Sequence, residues 1–266
     1  MDPPVYDTLI LSDLHLGSDC SRARDATCLL KETRFRRLIL LGDIFADLNF
    51  GRLTKEHWKF LGYIRKLSNP KRKVEVIWVE GNHDHGLAAI MSHLVGVRVY
   101  QEYAWHYDGL LHVAIHGHQF DRVVANNMRL NYLGTLFYLQ LQKLDVKGKP
   151  LARFIDRLNT RWLRMSSKVA SGAFSHARLR NADRIFCGHT HVAMHQEEDA
   201  VHYYNSGGWV DSSSTYITID ESGVQIHEYH EQPDDRDGDR ERSEGEFSEP
   251  YASELPEDAE YENIGN

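Results

Sequence analysis

The sequence predicts an α/β fold in which short buried strands end in polar loops along one edge of a sheet. Three observations carry that reading. Runs rich in Leu, Ile and Val recur at residues 6–11, 37–41, 74–79, 111–115 and 184–187, and each stops abruptly at a motif rich in His, Asp or Asn. A helical spacing of apolar residues separates the early runs. The length of 266 residues suits one substantial core carrying an insertion. Because a strand fixes its last residue in a rigid sheet, loops leaving one edge can bring distant residues to one point.

In chain order, residues 6–11 lead into Ser12-Asp13-Leu14-His15, and residues 37–41 into Gly42-Asp43-Ile44-Phe45. Residues 54–67 place Trp58, Leu61, Ile64 and Leu67 at helical spacing and stop before Asn69-Pro70, which predicts a covering helix. Residues 74–79 precede Gly81-Asn82-His83-Asp84, and residues 111–115 precede His116-Gly117-His118-Gln119-Phe120-Asp121. Residues 122–180 carry no strand pattern and read as a helical insertion broken at Lys147-Gly148-Lys149-Pro150. Its second half mixes Phe154, Leu158 and Trp162 with Arg153, Arg157, Arg161, Arg164 and Lys168. After residues 184–187 and Gly188-His189-Thr190-His191, the runs 201–205, 214–219 and 224–229 alternate polar and apolar residues and predict a terminal antiparallel meander.

The net charge of -8 is unevenly spread. Residues 231–266 hold 14 acids and 3 bases, which leaves 28 bases and 25 acids before them, so the body is mildly basic. That terminal stretch is almost free of aliphatic residues and is expected to be a disordered acidic tail after a catalytic domain of residues 1–230. No run approaches the roughly 18 apolar residues of a membrane-spanning helix. Cys20, Cys28 and Cys187 lack CxxC spacing, and the first ten residues lack a signal-like charge pattern; both predict a cytoplasmic protein with reduced thiols.

Histidine is the compositional outlier, at 16 residues, several of them clustered beside Gly, Asp or Asn. Asp13 and His15 sit two apart at a strand end, so both side chains point to one side and can share an ion. Asp43, behind Gly42, offers two carboxylate oxygens, enough to bridge two ions. Asn82 supplies a neutral oxygen where another carboxylate would repel a phosphate. His116, His189 and His191 add imidazoles, and mixed nitrogen and oxygen ligation favours zinc, iron or manganese over magnesium. Each motif alone also reads as a turn or helix cap; five in this order, each after a strand, point to a metal site.

These motifs resemble the calcineurin-like metallophosphoesterase superfamily, with a match running from Asp13 to about Gly208. The resemblance implies a two-sheet α/β/β/α sandwich and two divalent ions, manganese foremost and iron or zinc next. One ion is then held by Asp13, His15, Asp43 and His191, the other by Asp43, Asn82, His116 and His189. Such a pair activates a water for in-line attack on phosphorus. His83 becomes the candidate general acid, with Asp84 to orient or charge it. Asp47 reads as a tether of its loop or of a ligating His rather than as a metal ligand. The remaining histidines read as surface or core, except His118 beside a ligand pair and His195 four residues past His191.

The segment Tyr203-Tyr204-Asn205-Ser206-Gly207-Gly208-Trp209 and the insertion are similar to those of the bacterial UDP-2,3-diacylglucosamine pyrophosphatase-like group. In that group the insertion is a lid that receives acyl chains and phosphates of a lipid A precursor. The implied substrate contacts are His118, Asp121, Arg157, Arg161, Arg164, Lys168 and His195, and the implied partner is a phosphorylated nucleotide or lipid-linked substrate. The best-known members of that pathway have Arg at the place of His83 and commonly an acid at that of His118, so another small-molecule phosphoester is an alternative. The small basic excess disfavours a nucleic-acid substrate. A non-catalytic scaffold would be expected to have lost ligands. Apolar and cationic residues side by side in the insertion also suggest a peripheral contact with the inner membrane.

Overall fold

The computed structural model describes residues 5–87, 91–93, 95–121, 160–210 and 214–230, with side chains of the last helix described from Ser166 onward. The elements follow the order β1 (Val5–Leu11), α1 (Ala23–Glu32), β2 (Arg34–Leu41), α2 (Lys55–Leu67), β3 (Glu75–Val79), β4 (Arg98–Tyr100), β5 (Glu102–Tyr107) and β6 (Leu110–Ile115). Then come α3 (Thr160–Arg180), β7 (Arg184–Cys187), β8 (Met194–Glu198), β9 (Val201–Asn205), β10 (Thr215–Asp220) and β11 (Gly223–Glu228). One sheet runs β11-β10-β1-β2-β3-β4 and the other β5-β6-β7-β9-β8.

Alternation along the strands builds the layers. Leu9, Leu11, Leu38, Leu40 and Trp78 pack with Ala26, Leu30, Phe60 and Ile64, so the outer face of the first sheet is covered by α1 and α2. Their neighbours Ile10, Ile39, Leu41, Ile77 and Val79 face the other way and meet Trp105, Ala114, Phe186 and Tyr204 of the second sheet. On that sheet's outer face Val113, Ile115, Ile185 and Cys187 pack against Ala170, Ala173, Phe174 and Ala177 of α3. The result is the α/β/β/α order, with period-2 burial on each strand as its cause.

Four expectations change. Residues 166–180, read as part of the insertion, form the outermost layer, because the small side chains of α3 let it lie close on the second sheet. The expected meander is divided: β10 and β11 pair in the first sheet, whereas β9 lies parallel to β7 in the second. Trp58, assigned to the buried face of α2, is exposed, and His57, Phe60, Leu61, Ile64 and Leu67 form that face instead. Residues 23–32 form a helix that the sequence reading left without an element. Residues 122–159, the bulk of the expected lid, and the acidic tail lie outside the described residues, and no helix among those described is long and apolar enough to cross a membrane.

The motif loops leave the carboxyl ends of β1, β2 and β3, parallel in one sheet, and of β6 and β7, parallel in the other. The two bundles of loops face each other across the inner layer.

Candidate metal centre

Backbone hydrogen bonds zip these loops together before any side chain is considered. Asp13 N donates to Gly42 O at 3.0 Å, His15 N to Asp43 O at 3.0 Å, Gly188 N to His116 O at 3.0 Å, and Trp209 N to Asp13 O at 3.0 Å. Asp13, His15, Asp43, His189 and His191 all adopt positive φ, between 48° and 67°. Such conformations cost on the order of 1–3 kcal/mol each for non-glycine residues and persist where surrounding structure enforces them. Two glycines permit the close approach. A Cβ at Gly42 would stand 2.3 Å from His116 Nδ1, and one at Gly188 would stand 2.5 Å from Asp13 Oδ2.

The side chains then converge in two groups that share an edge. Asp13 Oδ1 lies 3.2 Å from His191 Nε2 and 3.9 Å from His15 Nε2, and the two histidine nitrogens are 3.2 Å apart. Asp43 Oδ2 lies 3.2 Å from His116 Nε2. Within Asp13, His15 and His191, within Asp43, His116 and His189, and within His15, Asp43 and His83, the donor atoms come within 4.8 Å of one another. Asn82 stands between Gly81, whose Cβ would strike Asp43, and His83, whose backbone N donates to Asp43 Oδ1 at 2.8 Å.

Hydrogen bonds fix which atoms face the centre. Asp13 Oδ2 accepts from His189 N at 3.0 Å, leaving Oδ1 turned inward. The Leu41 carbonyl accepts a hydrogen bond from Nδ1–H of His116 at 2.8 Å, which in the neutral ring leaves Nε2 its lone pair. Asp13 Oδ1, Asn82 Oδ1, His116 Nε2 and His189 Nε2 are sealed from solvent with no hydrogen-bond partner among the described residues. Leaving a buried polar atom unsatisfied costs about 1–3 kcal/mol, so those on Asp13, Asn82 and His116 are unfavourable without a cation to engage them, whereas His189 Nε2 has Asp121 Oδ2 3.6 Å away. The residues fit a divalent pair.

The electrostatics agree. Burial alone would raise the Asp43 carboxyl, but His116 and His83 outweigh it and hold it well below the usual range. His116 is disfavoured as a cation by burial, yet Asp43 pushes it up to about 10. His15 is driven down to about 3 by burial, then by His191 and His83.

Residues 7–223 match the domain described as the calcineurin-like phosphoesterase superfamily domain. The chain belongs to that superfamily. Comparison with curated proteins found no match. Among solved structures, the chain is similar to an archaeal phosphodiesterase at 15% identity, covering 84% of this chain and 99% of that one with a TM-score of 0.44. The Yfce phosphoesterase of E. coli shares 15% identity over 82% of this chain and 90% of its own, with a TM-score of 0.47. Vps29 of Entamoeba histolytica, in a complex with zinc, shares 13% identity over 84% and 97%, with a TM-score of 0.39.

All seven residues read from the sequence as the superfamily's metal ligands thus lie in the converging loops. His83 stands at the rim: its Nδ1 bonds the Ala46 carbonyl at 2.7 Å, and its Nε2 is 4.0 Å from Asp43 Oδ2. Asp84 differs from expectation. Its two oxygens accept from Ile44 N at 3.0 Å and Phe45 N at 2.9 Å, so it anchors the Asp43 loop, and the carbonyl of Ala46 orients His83 instead. Asp47 tethers its loop as expected, through Asn49 N and Arg52. The His118 ring lies beside His116 and His189, with centroids 5.5 and 6.3 Å away. Asp121 is buried with Oδ2 3.6 Å from His189 Nε2.

His195 is not brought to the centre: it stacks on Tyr204 at 4.4 Å and bonds His202 at 3.2 Å on the β8–β9 hairpin. Lys168 is exposed on α3. Arg157 lies outside the described residues, and the side chains of Arg161 and Arg164 are likewise not described. Sequence reasoning missed Asn205, whose amide donates to Gly188 O at 2.6 Å and Thr190 Oγ1 at 3.1 Å, bracing the histidine loop from below. It also missed His57, whose Nδ1 accepts from Gly17 N and Thr54 N. The Asn-Ser-Gly-Gly run was a signal for the first; nothing in the sequence marked the second.

Proposed function

We propose that this superfamily member hydrolyses a phosphodiester or pyrophosphate bond, using one ion held by Asp13, His15, Asp43 and His191 and another held by Asp43, Asn82, His116 and His189. The observation that carries it is the convergence of the donor atoms of Asp13, His15, Asp43, His116, His189 and His191 into groups within 4.8 Å, with Asp13 Oδ1, Asn82 Oδ1 and His116 Nε2 buried and without a hydrogen-bond partner among the described residues. Manganese, iron or zinc held by these residues would supply a water of lowered pKa and neutralise charge on the phosphoryl oxygens. The protein's own part is positioning. Asp13 and Asp43 are locked by backbone amides, the Leu41 carbonyl fixes the tautomer of His116, and the Ala46 carbonyl fixes the ring of His83.

With Nδ1 committed to Ala46, His83 presents Nε2 beside Asp43, where a protonated ring can hand its proton to the departing oxygen. The preferred substrate is a nucleotide-linked diphosphate of the UDP-diacylglucosamine kind. Support comes from the Tyr203–Trp209 resemblance, in which Asn205 braces the Gly188–His191 loop. The scaffold alternative would be expected to show an eroded centre, whereas every candidate ligand is retained here.

The test is to strip the protein with chelator, reload it with manganese, and assay a chromogenic phosphodiester beside UDP-2,3-diacylglucosamine. Metal-dependent hydrolysis of the diester supports the reaction class, and preference for the nucleotide lipid supports the substrate. Hydrolysis of neither by reloaded protein refutes the reading.

A further inference from the structure

We propose that Asp121 is a positioning residue: its carboxylate accepts a hydrogen bond from Nε2–H of His189 and so presents Nδ1 of that ring to the ion shared with Asp43 and His116. The inference rests on the two-ion reading above.

Asp121 closes the single turn of 3₁₀ helix at His118–Phe120, donating its backbone N–H to His118 O at 3.1 Å. Its side chain points inward and is 2% exposed. Oδ2 lies 3.6 Å from His189 Nε2, so a closure of about 0.6 Å gives an ordinary N–H to O hydrogen bond. His189 Nε2 is sealed from solvent and has no other acceptor among the described residues. A neutral imidazole carries one N–H, and the nitrogen that meets an acceptor keeps the proton while the other keeps its lone pair.

The same device operates on the neighbouring ligand. The Leu41 carbonyl holds His116 Nδ1, which turns Nε2 to Asp43. Asp121 does this for His189 from the opposite ring nitrogen, and with a charge: a carboxylate behind a ligating imidazole also raises its basicity. The pair lies on the half of the centre made by Asp43, His116 and His189, so the effect is expected at one ion and not at the other. This reading replaces a direct substrate contact, since a buried carboxylate would repel a phosphate and has no solvent-facing surface to offer.

Two measurements test it. In protein loaded with zinc, long-range ¹H–¹⁵N correlation spectra are expected to show His189 protonated at Nε2 and ligated through Nδ1; ligation through Nε2 overturns the proposal. Manganese titration followed by equilibrium dialysis and elemental analysis is expected to show two ions in wild type. Asp121→Asn keeps an acceptor oxygen and is expected to weaken the second ion about 10-fold. Asp121→Ala keeps neither acceptor nor charge and is expected to weaken it about 100-fold, with the first ion unchanged in both. Wild-type affinity for both ions in Asp121→Ala overturns the proposal while leaving the two-ion reading intact. Fewer than two ions in wild type overturns that reading and this inference with it. The spectra need no variant, so a misfolded Asp121→Ala does not blunt the test.

Discussion

Gly188→Ala is the smallest change that should dislocate the centre. No left-handed backbone is recorded at Gly188, so the cost is set by space. The new Cβ would stand 2.5 Å from Asp13 Oδ2, 2.7 Å from Ser12 Oγ and 2.8 Å from Ser12 Cβ. Reaching ordinary contact at 3.4 Å requires a shift of about 0.9 Å, and neither neighbour is a free end. Asp13 Oδ2 is held by His189 N at 3.0 Å, and Ser12 Oγ by Ser206 Oγ at 2.7 Å and Gly207 O at 2.9 Å. A misplacement near 1 Å at a catalytic group costs about 100-fold in rate. Overpacking of this kind also costs about 1–3 kcal/mol of stability.

The assay is kcat/KM on a chromogenic phosphodiester with saturating manganese, alongside metal content and thermal melting. The matched control is Gly62→Ala, on the surface of α2, where an added Cβ meets nothing within 4 Å and helix propensity predicts a gain of about 0.5–1 kcal/mol. If Gly188→Ala retains full activity, metal content and melting temperature, the close packing of the histidine loop on Asp13 does not matter and the reasoning is refuted.

Three further outcomes are expected. His83→Ala should slow esters with poor leaving groups by about 100-fold or more and esters with good leaving groups far less, at unchanged metal content; equal slowing removes His83 as the acid. Burial among Trp105 and Phe186 pushes His112 down to about 4 in the fold, from 6.5 in an open chain. The unfolded state then binds the extra proton, so this histidine's contribution is full above pH 6.5 and is lost as pH falls toward 4. Denaturant melts of wild type and His112→Phe should diverge in slope across that window, and parallel pH profiles would contradict the assignment. Deletion of residues 231–266, beyond the matched domain at 7–223, should leave hydrolysis of a chromogenic diester unchanged; a collapse of activity would give the tail a role in the site.

The strands that carry ligands were legible because each buries both faces and ends at chemistry. Leu9 to Leu11 and Leu38 to Leu41 are apolar on either side, one face for the helices and one for the second sheet. Strand β8 was not legible for the opposite reason: Met194–Glu198 is an edge strand with mostly exposed residues, so no apolar period marks it. Sheet membership is also a tertiary matter. The residues of β9 alternate as a meander strand would, but Tyr204 packs on Phe186 at 5.3 Å and the ladder to β7 decides its place.

In the site, residue types at strand ends marked the candidate ligands, whereas partner assignments needed coordinates. Asp84 follows His83 in sequence, yet its carboxylate reaches back to the amides of Ile44 and Phe45. His195 lies only four residues from His191, but β8 leads it away along the hairpin to His202. The resemblance puts Asp121 among the substrate contacts, but the fold buries it, with Oδ2 3.6 Å from His189 Nε2.

The central claim is that one carboxylate, Asp43, joins two ions in one centre. Manganese stoichiometry by elemental analysis, read together with the exchange-coupled signal in electron paramagnetic resonance, tests it most directly. Wild type is predicted to hold two coupled ions per chain, and Asp43→Asn to lose the coupling and weaken both. A single uncoupled ion in wild type, or two coupled ions retained at full affinity in Asp43→Asn, would contradict it.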